Sequence, residues 1–188
     1  MNIGRCEVPG CEIDWVTHDY QTASTQAMQH LIELGHRRIA FVSKVHLEPQ
    51  LDKLAGCHRA LIDRLDVELL NLQSCDFDSA ELFAETLRRQ RITALMCDDR
   101  IIFEHVLALL HAEGIRVPEQ LSVLSLTTAD HSLPYLLEPT HVQLDQRRAG
   151  EVAIRTLVSR IKREVSESQQ IMLPGAFVPG ETTGAVPS

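Results

Sequence analysis

The sequence predicts an α/β fold in which a parallel sheet carries helices on both faces. Short apolar runs recur roughly every 30 residues, the length of a strand–helix–strand unit. Between successive runs, apolar residues are spaced as they are on one face of a helix. The runs are apolar throughout rather than alternating, as expected for strands covered on both faces.

The first predicted elements are a short strand and a capped helix. Residues 1–14 lack periodicity and predict an arm, and residues 15–18 form a β-prone run. Asp19 is placed to cap a helix because its carboxylate can accept unpaired backbone N–H groups. The helix is predicted to end at Gly35, a residue type favoured at helix C-termini.

Strand–helix units then repeat through the middle of the chain. Strands are predicted at 38–42, 67–72, 92–97 and 121–126. The intervening helices are marked by apolar stripes at Leu51, Leu54, Ala55, Leu61, Ile62 and Leu65, at Ala80, Phe83, Ala84 and Leu87, and at Ile102, Val106, Leu109 and Leu110.

The pattern changes after the fourth of these strands. Residues 127–140 are irregular, and a short strand is predicted at 141–144. Asp145 is placed to cap a further helix, which leads to a charged, solvated stretch at 162–170. The last strand, 171–178, contains Pro174 and is therefore predicted at a sheet edge.

Composition excludes several classes of function. Apolar residues make up 44% of the chain, enough to bury a core, and the net charge of −8 disfavours contact with nucleic acid by this chain alone. No apolar run approaches the roughly 20 residues of a membrane span. No secretory signal is visible either, so the expected location is the cytoplasm.

Candidate ligand-binding residues follow the predicted strands, because ligands of open parallel sheets bind beyond the carboxyl ends of the strands. The candidates are Lys53, Phe77, Asp98, Asp99, Thr127 and Thr128. Such a set of one cation, one aromatic ring, carboxylates and hydroxyls suits a polyhydroxylated or heterocyclic ligand. Each residue also has a purely structural alternative: a surface charge, a core aromatic, a helix cap or a loop hydrogen bond.

Catalytic and metal-binding patterns are missing from the sequence. There is no nucleophile elbow, zinc-protease helix, P-loop or dinucleotide fingerprint. Cys6, Cys11 and His18 lack the second closely spaced ligand pair of a metal site. The sequence therefore predicts neither an enzyme, nor a cofactor, nor a metal.

Several segments together resemble the LacI/GalR family of transcription regulators. The matching segments are Asp19-Tyr20-Gln21-Thr22-Ala23, His30-Leu31, Gly35-His36-Arg37-Arg38-Ile39-Ala40-Phe41, Leu54-Ala55-Gly56, Asp76-Phe77, Asp98-Asp99, Gly114-Ile115-Arg116-Val117-Pro118, Pro139-Thr140 and Gly180-Glu181-Thr182-Thr183-Gly184. Their order and spacing carry the resemblance, which spans roughly residues 15–184.

The resemblance implies a periplasmic-binding-protein-like fold with two lobes around a cleft, one lobe nearly complete and the other partial. Residues 15–37 and 141–165 would form the partial N-terminal lobe. Residues 38–140 and 166–184 would form the C-terminal lobe, followed by a tail at 185–188. The family's DNA-binding headpiece and the start of its N-terminal lobe have no counterpart before Trp15.

The resemblance also assigns effector-binding roles. Lys53 stands where the family has an arginine, Phe77 where an aromatic ring stacks on the ligand, and Asp98 where an Asn or Asp bonds ligand hydroxyls. Thr127 and Thr128 stand where the family has an aspartate. These departures remove a bidentate donor and a charged acceptor, so we expect a ligand unlike the usual sugars, or weaker binding.

The expected function is therefore that of an effector-sensing region of a transcription regulator. It would bind a sugar-like or nucleoside-like metabolite and act as a homodimer, reaching DNA only through a headpiece outside this chain. Two alternatives remain open from the sequence: a solute receptor of a transporter, and an α/β enzyme that uses Asp98 or Asp99.

Overall fold

The computed structural model describes residues 1–5, 9–44, 48–73, 79–127, 137–164 and 167–186. In chain order the elements are β1 (Asn2–Ile3), β2 (Trp15–His18), α1 (Tyr20–Glu33), β3 (Arg38–Ser43), α2 (Glu48–Ala60), β4 (Glu68–Gln73), α3 (Ala80–Arg89), β5 (Ala94–Cys97), α4 (Arg100–Ala112), β6 (Ser122–Ser125), β7 (Thr140–Gln143), α5 (Gln146–Ile161), β8 (Gln170–Leu173) and β9 (Ala176–Val178).

A six-stranded sheet forms the larger body, in the order β4-β3-β5-β6-β7-β9. All its pairings are parallel except β7 with the edge strand β9. Along β3, Ile39 and Phe41 face a core that contains α1 and α2, whereas Ala40 and Val42 face a core that contains α3 and α4. Both faces are thus covered, which confirms the predicted fold class.

A three-stranded sheet, β1-β2-β8, forms the smaller body. Its strands are parallel, and α5 covers one face by packing Ala149 and Ala153 against Val16. The first residues of the chain, predicted as an arm, therefore include a strand that hydrogen-bonds to β2.

Helix ends were predicted well from local chemistry. The Asp19 carboxylate accepts from the Thr22 N–H at 3.0 Å, and the Asp145 carboxylate accepts from the Arg148 N–H at 2.8 Å. Gly35 ends α1 with a φ of 95°, a left-handed conformation that glycine adopts without strain. These caps confirm the predicted starts of α1 and α5.

The structure distributes three segments differently from the predicted lobes. Helix α1 packs against the six-stranded sheet, because its apolar stripe contacts Ile39 and Phe41. Strand β7 also belongs to that sheet. The single strand predicted at 171–178 is two strands, and β8 joins the small sheet while β9 joins the large one. The break falls at Pro174-Gly175, since proline cannot supply a ladder N–H.

Among the described residues, no helix has the length and hydropathy needed to cross a membrane.

Candidate functional site

Three passages of the described chain join the two sheets. The passages run from β2 to α1, from β7 to α5 and from β8 to β9. Backbone and side-chain hydrogen bonds tie them together: the Asp19 N–H donates to the Leu173 carbonyl at 2.8 Å, and His18 Nε2 lies 3.4 Å from the Asp145 carbonyl. These connections place the carboxyl ends of β2 and β7 beside one another.

The topology predicts a crevice at the carboxyl edge of the large sheet, between β3 and β5. The chain leaves β3 toward β4 on one side and leaves β5 toward β6 on the other, and ligands bind at such a reversal of direction. Helix α2 lies on one face and α4 on the other. Side chains from α2 and from the end of β5 therefore meet across this crevice.

Lys53 and Asp98 form a buried ion pair in the crevice. Lys53 Nζ donates to Asp98 Oδ1 at 2.8 Å and to the Asp98 carbonyl at 2.7 Å. The two side chains are only 5% and 1% exposed. Because burying either charge alone is costly, each holds the other in place.

Tyr20 and Asp52 border this pair. The Lys53 ammonium lies 5.3 Å from the centre of the Tyr20 ring, within the range of a cation–π contact. Gln21 donates to Asp52 Oδ1 at 2.9 Å, which connects α1 to α2 beside the crevice. Burial, and then the negative charges of Asp98 and Asp52, raise the pKa of Tyr20, so its hydroxyl is a hydrogen-bond donor at neutral pH.

Thr127 lies at the end of the next strand and lines an open cavity of about 300 Å³, with Asp99, Arg100, Ile101 and Gln146. Its backbone N–H donates to Ser125 Oγ at 3.3 Å. Asp99 caps α4 by accepting from the Ile102 N–H at 2.8 Å. Gln146 belongs to the first turn of α5, so this cavity lies where the two sheets approach each other.

The structure thus brings Lys53 and Asp98 into contact and places Thr127 at the same edge of the sheet. Phe77 and Thr128, the other candidates, lie outside the described residues. Sequence reasoning missed Tyr20, Asp52 and Gln146 as neighbours of the crevice. The caps at Asp19 and Asp145 were the available signal, because a capped helix start after a strand lies at the carboxyl edge.

A second polar cluster lies at the opposite edge of the sheet. His36 Nε2 lies 3.0 Å from Ser122 Oγ, and Nδ1 lies 2.9 Å from Thr93 Oγ1. The contact resembles a nucleophile–base pair, but His36 and Ser122 are both 0% exposed. His36 Nε2 also lies 3.0 Å from the Gly184 carbonyl, so both ring nitrogens are bonded to protein groups and the cluster is structural. No group of metal ligands is found among the residues that the structure describes.

Comparison with known proteins agrees with this architecture. The family model described as the periplasmic binding protein-like domain matches residues 28–183. This match covers most of the chain, which therefore belongs to the family of periplasmic binding protein-like domains.

Within that family, the similarity is to LacI-type transcription regulators, which confirms the resemblance seen in the sequence motifs. The HTH-type transcriptional regulator CelR of Thermobifida fusca is 29% identical over 175 residues, covering 88% of this chain and 51% of that protein. The chain thus spans about half the length of that relative.

Two solved structures extend the comparison. The complex of the transcriptional regulator CelR with cellobiose has a TM-score of 0.80 at 26% identity, covering 96% of this chain and 57% of that one. A LacI transcriptional regulator from a Rhodococcus species has a TM-score of 0.80 at 25% identity, covering 99% of this chain and 70% of that one.

Proposed function

We propose that this chain is the effector-sensing region of a transcription regulator. It binds a small polar metabolite at the carboxyl edge of the large sheet, in the crevice between β3 and β5 and the adjoining cavity lined by Thr127. The observation that carries the proposal is the buried Lys53–Asp98 pair at the carboxyl edge, where β3 and β5 diverge. The relatives support it, since they are named as regulators and one is described in complex with cellobiose. The same names favour neither an enzyme nor a transport receptor.

The proposed binding residues are Lys53, Phe77, Asp98, Thr127 and Thr128. Asp98 would accept hydrogen bonds from ligand hydroxyls while Lys53 orients its carboxylate. The Thr127 hydroxyl would contact the ligand from the open cavity that it lines. Phe77 would supply an aromatic face for a sugar ring or a base.

The proposed signal is a shift between two arrangements of the sheets. A ligand that contacts both bodies favours the arrangement in which both can reach it. The passages between the sheets would act as the hinge, because they are short and lie at the ends of elements. Gly175 lies in the passage from β8 to β9. A Cβ there would come within 3.2 Å of the Ala23 and Val142 side chains, so the passage is tightly packed at this point.

In the whole protein we propose a cytoplasmic homodimer that reaches DNA through a headpiece outside this chain. An apolar groove of about 410 Å³ beside α4, lined by Phe103, Leu107, Leu110, Ile115, Val117 and Leu137 among others, supports the dimer. A second copy of the chain would cover this surface. The net charge of −8 supports a separate domain for DNA contact.

The first test is binding by the 188-residue chain. Titration calorimetry against a panel of neutral sugars and nucleosides is expected to give saturable heat for at least one compound, and the same compound should raise the melting temperature. Absence of heat and of any melting shift across the panel would contradict the proposed function.

Thr127→Ala tests the placement of the ligand. Loss of one neutral hydrogen bond should weaken binding by about two- to tenfold. Thr86→Ala is the matched control, because the Thr86 hydroxyl donates to the Leu82 carbonyl within its own helix, away from the proposed site. Equal affinity of the wild type and Thr127→Ala would remove Thr127 from the site. Phe77→Ala is expected to cost at least about tenfold, as loss of a stacked ring would.

A further inference from the structure

The charge of the ligand can be inferred from the groups that surround the crevice, given the proposed function. Phosphorylated sugars and carboxylates are anions, and proteins bind anions with free cations or with unpaired N–H groups at helix N-termini. An anionic ligand would therefore need a free cation or unpaired N–H groups at the crevice.

Three helix N-termini at the carboxyl edge, those of α1, α4 and α5, are capped by the protein's own carboxylates. Asp19 caps α1, Asp99 caps α4 and Asp145 caps α5, each accepting a backbone N–H of the first turn at 2.8–3.0 Å. Each aspartate satisfies donors that an anionic ligand would need and places a negative charge there as well. An approaching phosphate would meet a carboxylate at every one of these three ends.

The buried cation of the crevice is neutralised as well. Lys53 donates both to the carboxylate and to the carbonyl of Asp98, and its ammonium faces the Tyr20 ring. The pair has no net charge. Asp52 lies beside the Lys53–Asp98 pair and adds a carboxylate. This carboxylate forms an ion pair with Arg5, and the Asp52 side chain is 25% exposed.

Other basic residues near this edge are few and mostly paired. Arg100 forms an ion pair with Glu104, and Arg147 and Arg148 both pair with Glu151. Lys44 is an exposed lysine after β3.

We infer that the crevice selects an uncharged ligand and rejects its phosphorylated or carboxylated counterpart. The acidic surroundings repel an anion, and the capped ends of α1, α4 and α5 offer it fewer unpaired N–H donors. A neutral polyol needs only hydroxyl-to-carboxylate and hydroxyl-to-hydroxyl hydrogen bonds, which Asp98, Asp99 and Thr127 can provide.

Matched pairs of sugars test this inference on the 188-residue chain at fixed ionic strength. The pairs are ribose with ribose 5-phosphate, glucose with glucose 6-phosphate, and cellobiose with its 6-phosphate. For any sugar that binds, the phosphorylated member is expected to bind at least about tenfold more weakly, the effect of one unfavourable charge contact in a partly screened site.

The variant Asp99→Asn tests whether the negative charge of Asp99 weakens the binding of phosphorylated sugars. Asparagine is also a good helix cap, so this change removes a negative charge and keeps the start of α4. The ratio of the dissociation constant of the phosphorylated sugar to that of the neutral sugar is expected to fall at least about threefold. Asp66→Asn is the matched control, since Asp66 pairs with Arg37 just before β4, at the opposite edge of the sheet. It should leave the ratio unchanged.

The outcomes are distinguishable. Tighter or equal binding of a phosphorylated sugar overturns the inference and leaves the proposed sensing function standing. An unchanged ratio in Asp99→Asn overturns the electrostatic explanation on which the inference depends. If no sugar binds in either form, the proposed function fails, and the inference fails with it.

Discussion

His36 connects several segments by hydrogen bonds at the opposite edge of the large sheet. Its Nε2 lies 3.0 Å from the Gly184 carbonyl, an acceptor only, so Nε2 carries the proton and Nδ1 accepts from the Thr93 hydroxyl. The imidazole thus joins the end of α1, the approach to β5 and the C-terminal segment. Burial lowers the pKa of His36, because the charged form is poorly solvated there.

This pKa predicts a dependence of stability on pH. Since the folded state binds a proton at His36 less readily than the unfolded state, the free energy of unfolding should fall as the pH drops below about 6.5, the ordinary value for histidine. In His36→Gln the titrating group is gone, so the slope between pH 6.5 and 5 should be shallower by at most about 1.4 kcal/mol per pH unit.

Urea unfolding at several pH values measures this slope. His58→Gln, which replaces an exposed histidine of α2, is the control for the loss of a histidine side chain. Identical slopes for His36→Gln and the wild type would show that His36 does not titrate differently in the folded state.

At the scale of single residues, sequence reasoning succeeds where the chemistry is local. A carboxylate two or three residues from an unpaired N–H has an obvious partner, and so Asp19 and Asp145 were predicted as caps. Lys53 and Asp98 are 45 residues apart. Their ion pair depends on the topology of the sheet, which places α2 over the end of β5, and no local pattern in the sequence indicates it.

At the scale of elements, α1 and α2 pack closely, and Gly56 permits the contact. A Cβ at position 56 would lie 2.3 Å from the Gln21 carbonyl oxygen. The Thr25 hydroxyl donates to the Gly56 carbonyl at 2.9 Å, so the two backbones are hydrogen-bonded through one side chain. The contact matters for function, because it fixes Lys53 of α2 next to Tyr20 of α1.

Gly56→Ala should therefore destabilise the protein by about 1–3 kcal/mol, as overpacking of a tight contact does. Gly150→Ala is the matched control in α5, where a Cβ meets nothing within 4 Å. There alanine should stabilise the helix by about 0.5–1 kcal/mol. Urea unfolding of both variants measures the difference. A Gly56→Ala protein as stable as the wild type would mean that the two helices are not so close.

Element types were predictable from the sequence, whereas the sheet to which each belongs was not. An apolar stripe such as that of α1 indicates that one helix face is buried but does not identify the strands that bury it. The same holds for the residues around Pro174. The proline indicates a break in pairing, yet only the fold shows that β8 and β9 lie in different sheets.

At the scale of the whole molecule, the described residues include two apolar surfaces that could contact another protein. One is the groove beside α4, where Leu137 is 36% exposed at the rim. The other is the outer side of α5, where Ile154 and Ile161 are 66% and 71% exposed. Large exposed apolar patches often mark contacts between proteins, and the groove is the one that we propose for the dimer.

Leu137→Asp tests that assignment. Association would bury the new carboxylate in an apolar groove without a partner, so the dimer dissociation constant should rise at least about tenfold by sedimentation equilibrium. Leu65→Asp is the control, because Leu65 is fully exposed in the turn between α2 and β4 and the change should leave association unchanged.

If Ile154→Asp weakens the dimer and Leu137→Asp does not, the dimer contact is formed by α5 instead of the groove. The small sheet would then be fixed to the partner, and effector binding would move the large sheet instead, because the hinge passages lie between these two bodies.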